Sequence, residues 1–192
     1  MKQDIISYLK STAKPGGLTW TAICCGMFFD WSIANNHMQF NVPARHYTVF
    51  ADGNHPFIGT TLGQIARCVP AVLSPAHLAE TANRYIYISS FSGQGALTQN
   101  VVLESLERAC SSPFTVTRST VDALAASGMA KMGKGLVMEG LVEMINASMY
   151  GYGGLNEFSK EAEVWNKKLG LSDEDLDQVV QEVVSKMGSL AG

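Results

Sequence analysis

The sequence predicts an α/β fold built on a parallel sheet, and three observations carry that reading. Leu18 to Cys25 (LTWTAICC) is a short run of strand-forming residues with almost no polar relief, closed by Gly26. A run of this kind reads as a strand covered on both faces, as strands of parallel sheets are. Arg84 to Phe91 (RYIYISSF) has the same character. Between and beyond these runs, apolar residues recur at helical spacing, and strands alternating with helices are what build an α/β fold.

Taken in order, residues 2–12 predict a short amphipathic helix with Ile5, Ile6, Tyr8 and Leu9 towards the core, stopped by Pro15-Gly16-Gly17. The strand over 18–25 follows, and Gly26 supplies the backbone freedom to turn off its end. His46 to Ala51 (HYTVFA) alternates as a strand does, and Asp52-Gly53-Asn54 is a turn signal. Thr60 or Thr61 can cap a helix whose apolar positions run from Leu62 to Leu73, with a kink expected at Pro70. After the strand at 84–91, Ser92-Gly93-Gln94-Gly95 leads into a helix from about Leu97 to Cys110. Phe114 to Arg118 reads as a strand, and Ser119 or Thr120 caps a helix reaching Met132. Leu136 to Met149 is helical, Tyr150 to Gly154 is a loop, and helices over about 157–169 and 173–187 close the chain. Ser172 with Asp175 has the spacing of a capping box, which puts Asp173 and Glu174 in the first turn of the last helix.

Size and charge exclude several classes of function. At 192 residues the chain suits one well-filled domain, read as residues 1–192. A net charge of −3 with no Lys/Arg cluster leaves nothing to hold nucleic acid. No uninterrupted apolar stretch is long enough to span a membrane, and the charged first 17 residues lack a signal peptide's apolar core. Cys24, Cys25, Cys68 and Cys110 lie on predicted strands and helices, as small buried hydrophobes rather than a disulfide framework. The expectation is a cytoplasmic protein.

Few motifs carry chemistry. Gly93-Gln94-Gly95 follows a strand and precedes a helix, but it lacks the third glycine and the acidic partner of a dinucleotide fingerprint. His37, His46, His55 and His77 show no metal-ligand spacing, so no metal is expected. Ligands of open α/β sheets lie at the carboxyl ends of strands, which makes Met27 to Trp31 the first candidate site. Asp30, between Phe29 and Trp31, suits general acid/base work if desolvated; the plainer alternative is that it caps the helix it begins. His55, in a turn, is a second proton carrier or simply an exposed histidine. Methionines are dense over residues 129–149, as core packing or as one wall of an adaptable apolar pocket. Tyr150 and Tyr152 between glycines form either an aromatic flap or a turn.

A family resemblance joins these pieces. Lys2-x-x-Ile5 with Tyr8-Leu9, Leu18-Thr19-Trp20-Thr21, Gly26-x-Phe28-Phe29-Asp30-Trp31 and Asp52-Gly53-x-x-Pro56-Phe57 occur in that order. Glu80-Thr81-Ala82-Asn83-Arg84 and the stretch from Trp165 to Leu176 follow. Together they resemble the C-terminal part of NmrA-like and isoflavone-reductase-like proteins, atypical short-chain dehydrogenases common in fungi. The resemblance implies a remnant of a Rossmann-like parallel sheet with a mostly helical substrate-binding portion. It aligns Lys2 with the lysine that lies near the nicotinamide in the reductases. The family's glycine-rich NAD(P) fingerprint belongs to strands that precede this chain's first residue, so no cofactor is expected here.

Two functions follow as expectations. One is a redox-neutral isomerase or cyclase acting on a hydrophobic natural product, with Asp30, His55 and Lys2 as catalytic groups. Its pocket walls would be Phe28, Phe29, Trp31, Met132, Met138 and Tyr152. The alternative is a non-catalytic binding or regulatory module, or a fragment of an NAD(P)-dependent reductase. Without the family's first strands, one edge of strand 18–25 is bare, and a homodimer or the N-terminal helix is expected to cover it.

Overall fold

The computed structural model describes residues 2–13, 17–95, 97–151 and 157–190. Its organising element is a parallel pair: β1 (Thr21–Cys24) beside β6 (Arg84–Tyr87), with Thr21 opposite Arg84 and Cys24 opposite Tyr87. Backbone bonds prolong the pair at both ends, from Asn83 N–H to the Trp20 carbonyl and from Ile88 N–H to the Cys24 carbonyl at 2.9 Å. A second parallel pair, β2 (Met27–Phe28) and β5 (Gly59–Thr60), continues from the carboxyl end of β1. A third sheet sets β3 (Phe40–Asn41) antiparallel to β4 (His46–Phe50), and β4 parallel to β7 (Thr115–Ser119). The fold is α/β with short parallel strands, as the sequence predicts.

The strand predicted over 18–25 is shorter than expected, and β1 is half-buried throughout. The reason is pairing: among the described residues β1 has β6 on one side and no strand on the other. Leu18 is 53% exposed while Trp20 is buried. The N-terminal helix α1 (Lys2–Thr12) approaches this sheet through Lys10, whose Nζ lies 6.0 Å from the Trp20 ring centroid and 5.4 Å from that of Tyr85. Its expected inward face is only partly inward: Ile6 and Leu9 are half-buried, while Ile5 is 54% and Tyr8 67% exposed. A two-stranded sheet is too narrow to bury a full helix stripe, and a lysine stem covers the tryptophan instead. The stop at Pro15-Gly16 lies outside the described residues.

Helices fill the space around the sheets. After α2 (Phe29–Ala34), α3 (Leu62–Leu73) begins at Thr61, whose Oγ1 accepts from Gln64 N–H, and carries Pro70 within it. The short α4 (Leu78–Thr81) leads into β6. Thr98 caps α5 (Gln99–Cys110) and Thr120 caps α6 (Val121–Gly133), each hydroxyl accepting the N–H three residues on. α6 and α7 (Val137–Gly151) form a hairpin, and α8 (Ser159–Leu169) and α9 (Leu176–Leu190) complete the chain. α9 starts later than its predicted capping box. Asp175 is the cap, accepting from Gln178 N–H at 2.8 Å, while Ser172, Asp173 and Glu174 turn back to the sheet.

Two apolar clusters result. The larger joins Phe29 and Ile33 of α2, Tyr47 and Phe50 of β4, Leu106 of α5, Tyr150 of α7 and Val180 of α9. The smaller packs Cys68 and Val72 of α3 against Ile86 and Ile88, with Leu169 and Leu171. Among the described residues no helix is long and apolar enough to cross a membrane.

Candidate functional site

The carboxyl ends of β1, β2, β5 and β6 converge where the sequence places its first candidates. Gly26 makes this possible. Its φ of +60° turns the chain from β1 into β2, and a Cβ there would run into the Ile58 carbonyl oxygen. Beyond it, strand alternation splits the aromatic pair: Phe28 is 44% exposed, whereas Phe29 is fully buried against Phe91, ring centroids 5.0 Å apart. Phe29 is therefore part of the core in this structure and not an open surface.

Asp30 is half-buried in the first turn of α2, and its Oδ1 accepts from Trp31 N–H at 2.9 Å and Leu62 N–H at 3.1 Å. The carboxylate thus lies at the N-termini of two helices, its own α2 and the neighbouring α3, where orphan N–H groups favour negative charge. Trp31, 44% exposed, stands edge-on to His37 at 4.6 Å, and Leu62 is also 44% exposed. Phe28, Trp31 and Leu62 give the carboxylate an open apolar rim.

Behind this rim is a buried polar layer that no local motif announces. Thr60 Oγ1 donates to the Cys25 carbonyl at 2.6 Å, and Ser90 Oγ accepts from Thr61 N–H at 3.0 Å. Gln64 Nε2 reaches the Ser172 carbonyl at 3.1 Å, and Asn166 Nδ2 donates to the Ser89 carbonyl at 2.7 Å. Glu174 accepts from Thr61 Oγ1 and from Arg67 Nη2, both at 2.6 Å. Burial alone would raise Glu174, but the hydroxyls of Ser90 and Thr61 and the Arg67 guanidinium together hold it below the ordinary carboxylate range. The Ser-Ser pair in an apolar run and a glutamine on the inner face of α3 were the available signals. Their partners are too distant in sequence to be guessed, Thr61 and Glu174 being 113 residues apart.

The Gly93-Gln94-Gly95 turn does not fit a phosphate. Gly93 N–H donates to Asp173 Oδ2 at 2.7 Å, and Ser92 Oγ donates to Asp173 Oδ1 at 2.9 Å. A carboxylate of the chain itself fills the concavity that a pyrophosphate would need.

The remaining predicted residues are elsewhere. His55 is half-buried and lines a cleft of about 350 Å³ with Asp52, Pro56, Val121 and Tyr150. Asp30 is not part of that cleft. Beneath it Tyr150 donates to the Met38 carbonyl at 3.0 Å, and burial pushes its phenol far above the usual range, so it acts as a neutral donor. Met132 is half-buried in the α6–α7 seam and Met138 is 67% exposed on α7. Lys2 is the first residue of α1, and nothing is described of its side chain. Tyr152 lies outside the described residues. The structure brings together Phe28, Asp30 and Trp31; it does not bring His55, Met132 or Met138 to them. Burial of Cys68 pushes its thiol up to about 11, which makes it a packing residue.

No protein-family model matches the sequence, and no curated protein matches it. Solved structures do resemble the fold. Leucoanthocyanidin reductase of Vitis vinifera bound to NADPH aligns with a TM-score of 0.70 at 17% identity, over 96% of this chain and 59% of that one. The protein AtPrR2, with NADP+ and (+)-pinoresinol, aligns with a TM-score of 0.69 at 16% identity, over 95% and 55%. An isoflavone reductase aligns with a TM-score of 0.66 at 16% identity, over 94% and 56%. The chain thus spans less than three-fifths of the length of each of these three. Over nearly all of its own length it shares the α/β fold of these reductases.

Proposed function

We propose that this chain binds a hydrophobic, aromatic small molecule at the carboxyl ends of β1 and β2 and promotes a redox-neutral isomerisation or ring closure. The observation that carries the reading is Asp30, a half-buried carboxylate held by two helix N-termini inside a rim of exposed Phe28, Trp31 and Leu62. An aromatic ligand stacks on such a rim, and a carboxylate fixed by two backbone N–H groups is oriented before the ligand arrives. In the reaction Asp30 takes a proton from an acidic carbon of the ligand and returns it at another atom, so no electrons are gained or lost. His55, expected as a second proton carrier, lines a separate cleft and takes no part in this transfer. Lys2 and Tyr152 complete the proposed set of functional residues. We place the protein in the cytosol, the reducing compartment that the thiols of Cys68 and Cys110 suit.

The alternative is the substrate-binding part of an NADPH-dependent reductase, with the dinucleotide held by residues outside this chain. It is favoured by the NADPH and NADP+ named in the complexes of similar fold and by the extra length of those proteins. The experiment is a pair of titrations on the purified chain. Lignans and flavonoids are expected to quench Trp31 fluorescence, an effect lost in Trp31→Phe, and Asp30→Asn is expected to abolish turnover while sparing binding. Unchanged turnover in Asp30→Asn removes the acid/base assignment. Saturable NADPH binding turns the reading to the reductase alternative.

A further inference from the structure

Two carboxylates approach the first turn of α3, and only one of them meets a cation. Glu174 accepts from the Thr61 hydroxyl and pairs with Arg67 Nη2 at 2.6 Å. Nε and Nη2 of the same guanidinium also donate to Gln64 Oε1. Asp30 accepts the backbone N–H groups of Trp31 and Leu62, and both go to Oδ1. Among the described residues nothing donates to its Oδ2, and no basic side chain pairs with it. Glu80, Glu143, Glu174 and Asp177, by contrast, each pair with a lysine or an arginine. The His37 ring lies edge-on to Trp31 and makes no hydrogen bond to Asp30.

A carboxylate is a weak base, so a carbon gives it a proton only where the electron pair left behind is strongly stabilised. Among the described residues no cationic side chain is free to do this. Arg67 is held by Glu174 and Gln64, and the N–H groups of Trp31 and Leu62 are taken up by Asp30 itself. Resting on the reaction proposed above, we infer that the ligand brings its own electron sink: an aromatic compound with a positively charged nitrogen, an iminium. Its charge is drawn to the unpartnered Oδ2, and the exposed rings of Trp31 and Phe28 attract a cation as readily as they stack on a ring. The same nitrogen acidifies the neighbouring carbon. Asp30 Oδ2 takes the proton, the C–H electron pair becomes a C=C bond, and the π pair of C=N⁺ returns to nitrogen as a lone pair. A neutral enamine and a protonated Asp30 result, so charge and electrons balance. Return of the proton further along a conjugated chain completes the isomerisation. A neutral carbonyl compound supplies no such charge and needs an electrophile instead.

Two probes of one ring system, titrated into the purified chain, test this. One is the N-methyl iminium of a dihydroisoquinoline with a methyl group on the iminium carbon, and the other is the corresponding neutral lactam. By calorimetry the iminium is expected to bind roughly tenfold more tightly. Asp30→Asn keeps an oxygen for both backbone N–H groups and is expected to remove that preference. Trp31→Leu is expected to weaken the iminium more than the lactam, and both variants to keep the wild-type circular-dichroism spectrum. In deuterated water the chain is expected to speed deuterium exchange into the iminium's methyl group, followed by NMR, and Asp30→Asn to lose the effect. A lactam that binds as tightly as the iminium overturns the inference, and so does a preference or an exchange rate that survives Asp30→Asn. If that binding still weakens in Trp31→Leu, the aromatic site stands and only its cationic ligand is wrong. No binding of either probe, or binding that neither substitution alters, overturns the reading of the site and this inference with it.

Discussion

Gly26 shows how one residue can decide where a site is built. Its positive φ aims the chain from β1 into β2, and the Ile58 carbonyl occupies the space a side chain would need. Gly26→Ala combines a left-handed backbone cost with a collision against main chain, which cannot rotate away. The expected loss is on the order of 2–3 kcal/mol of stability, read from the urea midpoint. If Gly26→Ala unfolds at the wild-type midpoint, the turn is not constrained as described. Asp30 is the complementary case, a residue with two readings in the sequence that the structure combines. It serves helix N-termini, as the plain reading has it, and it also faces an open apolar rim. The helix whose second N-terminus it serves, α3, begins 32 residues further on, which no local pattern discloses.

Elements follow the sequence where a local cap defines them. Thr61, Thr98 and Thr120 each begin a helix by the same bond, from hydroxyl to the N–H three residues on, and all three helices are legible in advance. The start of α9 is not, because Ser172 to Glu174 gain more from the sheet than from capping. Glu174 finds Arg67 and Thr61, Asp173 finds Gly93 and Ser92, and Asp175 is left to cap. Thr61 serves both ends of this arrangement. Thr61→Ala is expected to lose about 1 kcal/mol for the cap, and somewhat more for the hydrogen bond it withdraws from Glu174. Chemical denaturation of Thr61→Ala and Thr61→Ser separates the two, since the serine keeps the hydroxyl. A threonine-to-alanine change without cost would mean the cap is idle.

For the whole molecule, the tie between the α8–α9 linker and the sheet makes stability depend on acid. Hydrogen bonds from Arg108 and Ser105 hold Asp177 below the ordinary range, and Glu174 is held there by Ser90, Thr61 and Arg67 against its burial. Both carboxyls bind protons less readily folded than unfolded. As pH falls, the unfolded chain takes up protons first, so their contribution is complete above the unfolded values, about 4.3 for Glu and 3.9 for Asp. It is lost as pH drops through the lower folded values. The urea midpoint is expected to be flat near neutrality and to fall below about pH 4.5, with a shallower fall in Glu174→Gln. An equal fall in that variant would free Glu174 of this role.

The sequence by itself determined what short-range chemistry controls. Continuous apolar runs located the two strands of the parallel pair, hydroxyl caps located two helix starts, and Gly26 marked the turn into Phe28, Asp30 and Trp31. Tertiary structure decided what depends on partners far apart in the chain. It buried Phe29 and exposed Phe28, gave Asp30 the N-terminus of α3, and turned Asp173 into the Gly93 turn. It put His55 in a different cleft and left Ile5 and Tyr8 of α1 exposed. The physical reason is the same throughout: a side chain's burial and its hydrogen-bond partners are properties of the surface it meets, and residues separated by 100 positions supply that surface only once the chain has folded. The candidate site at the end of β1 is therefore legible as a place, and its working parts only as a structure.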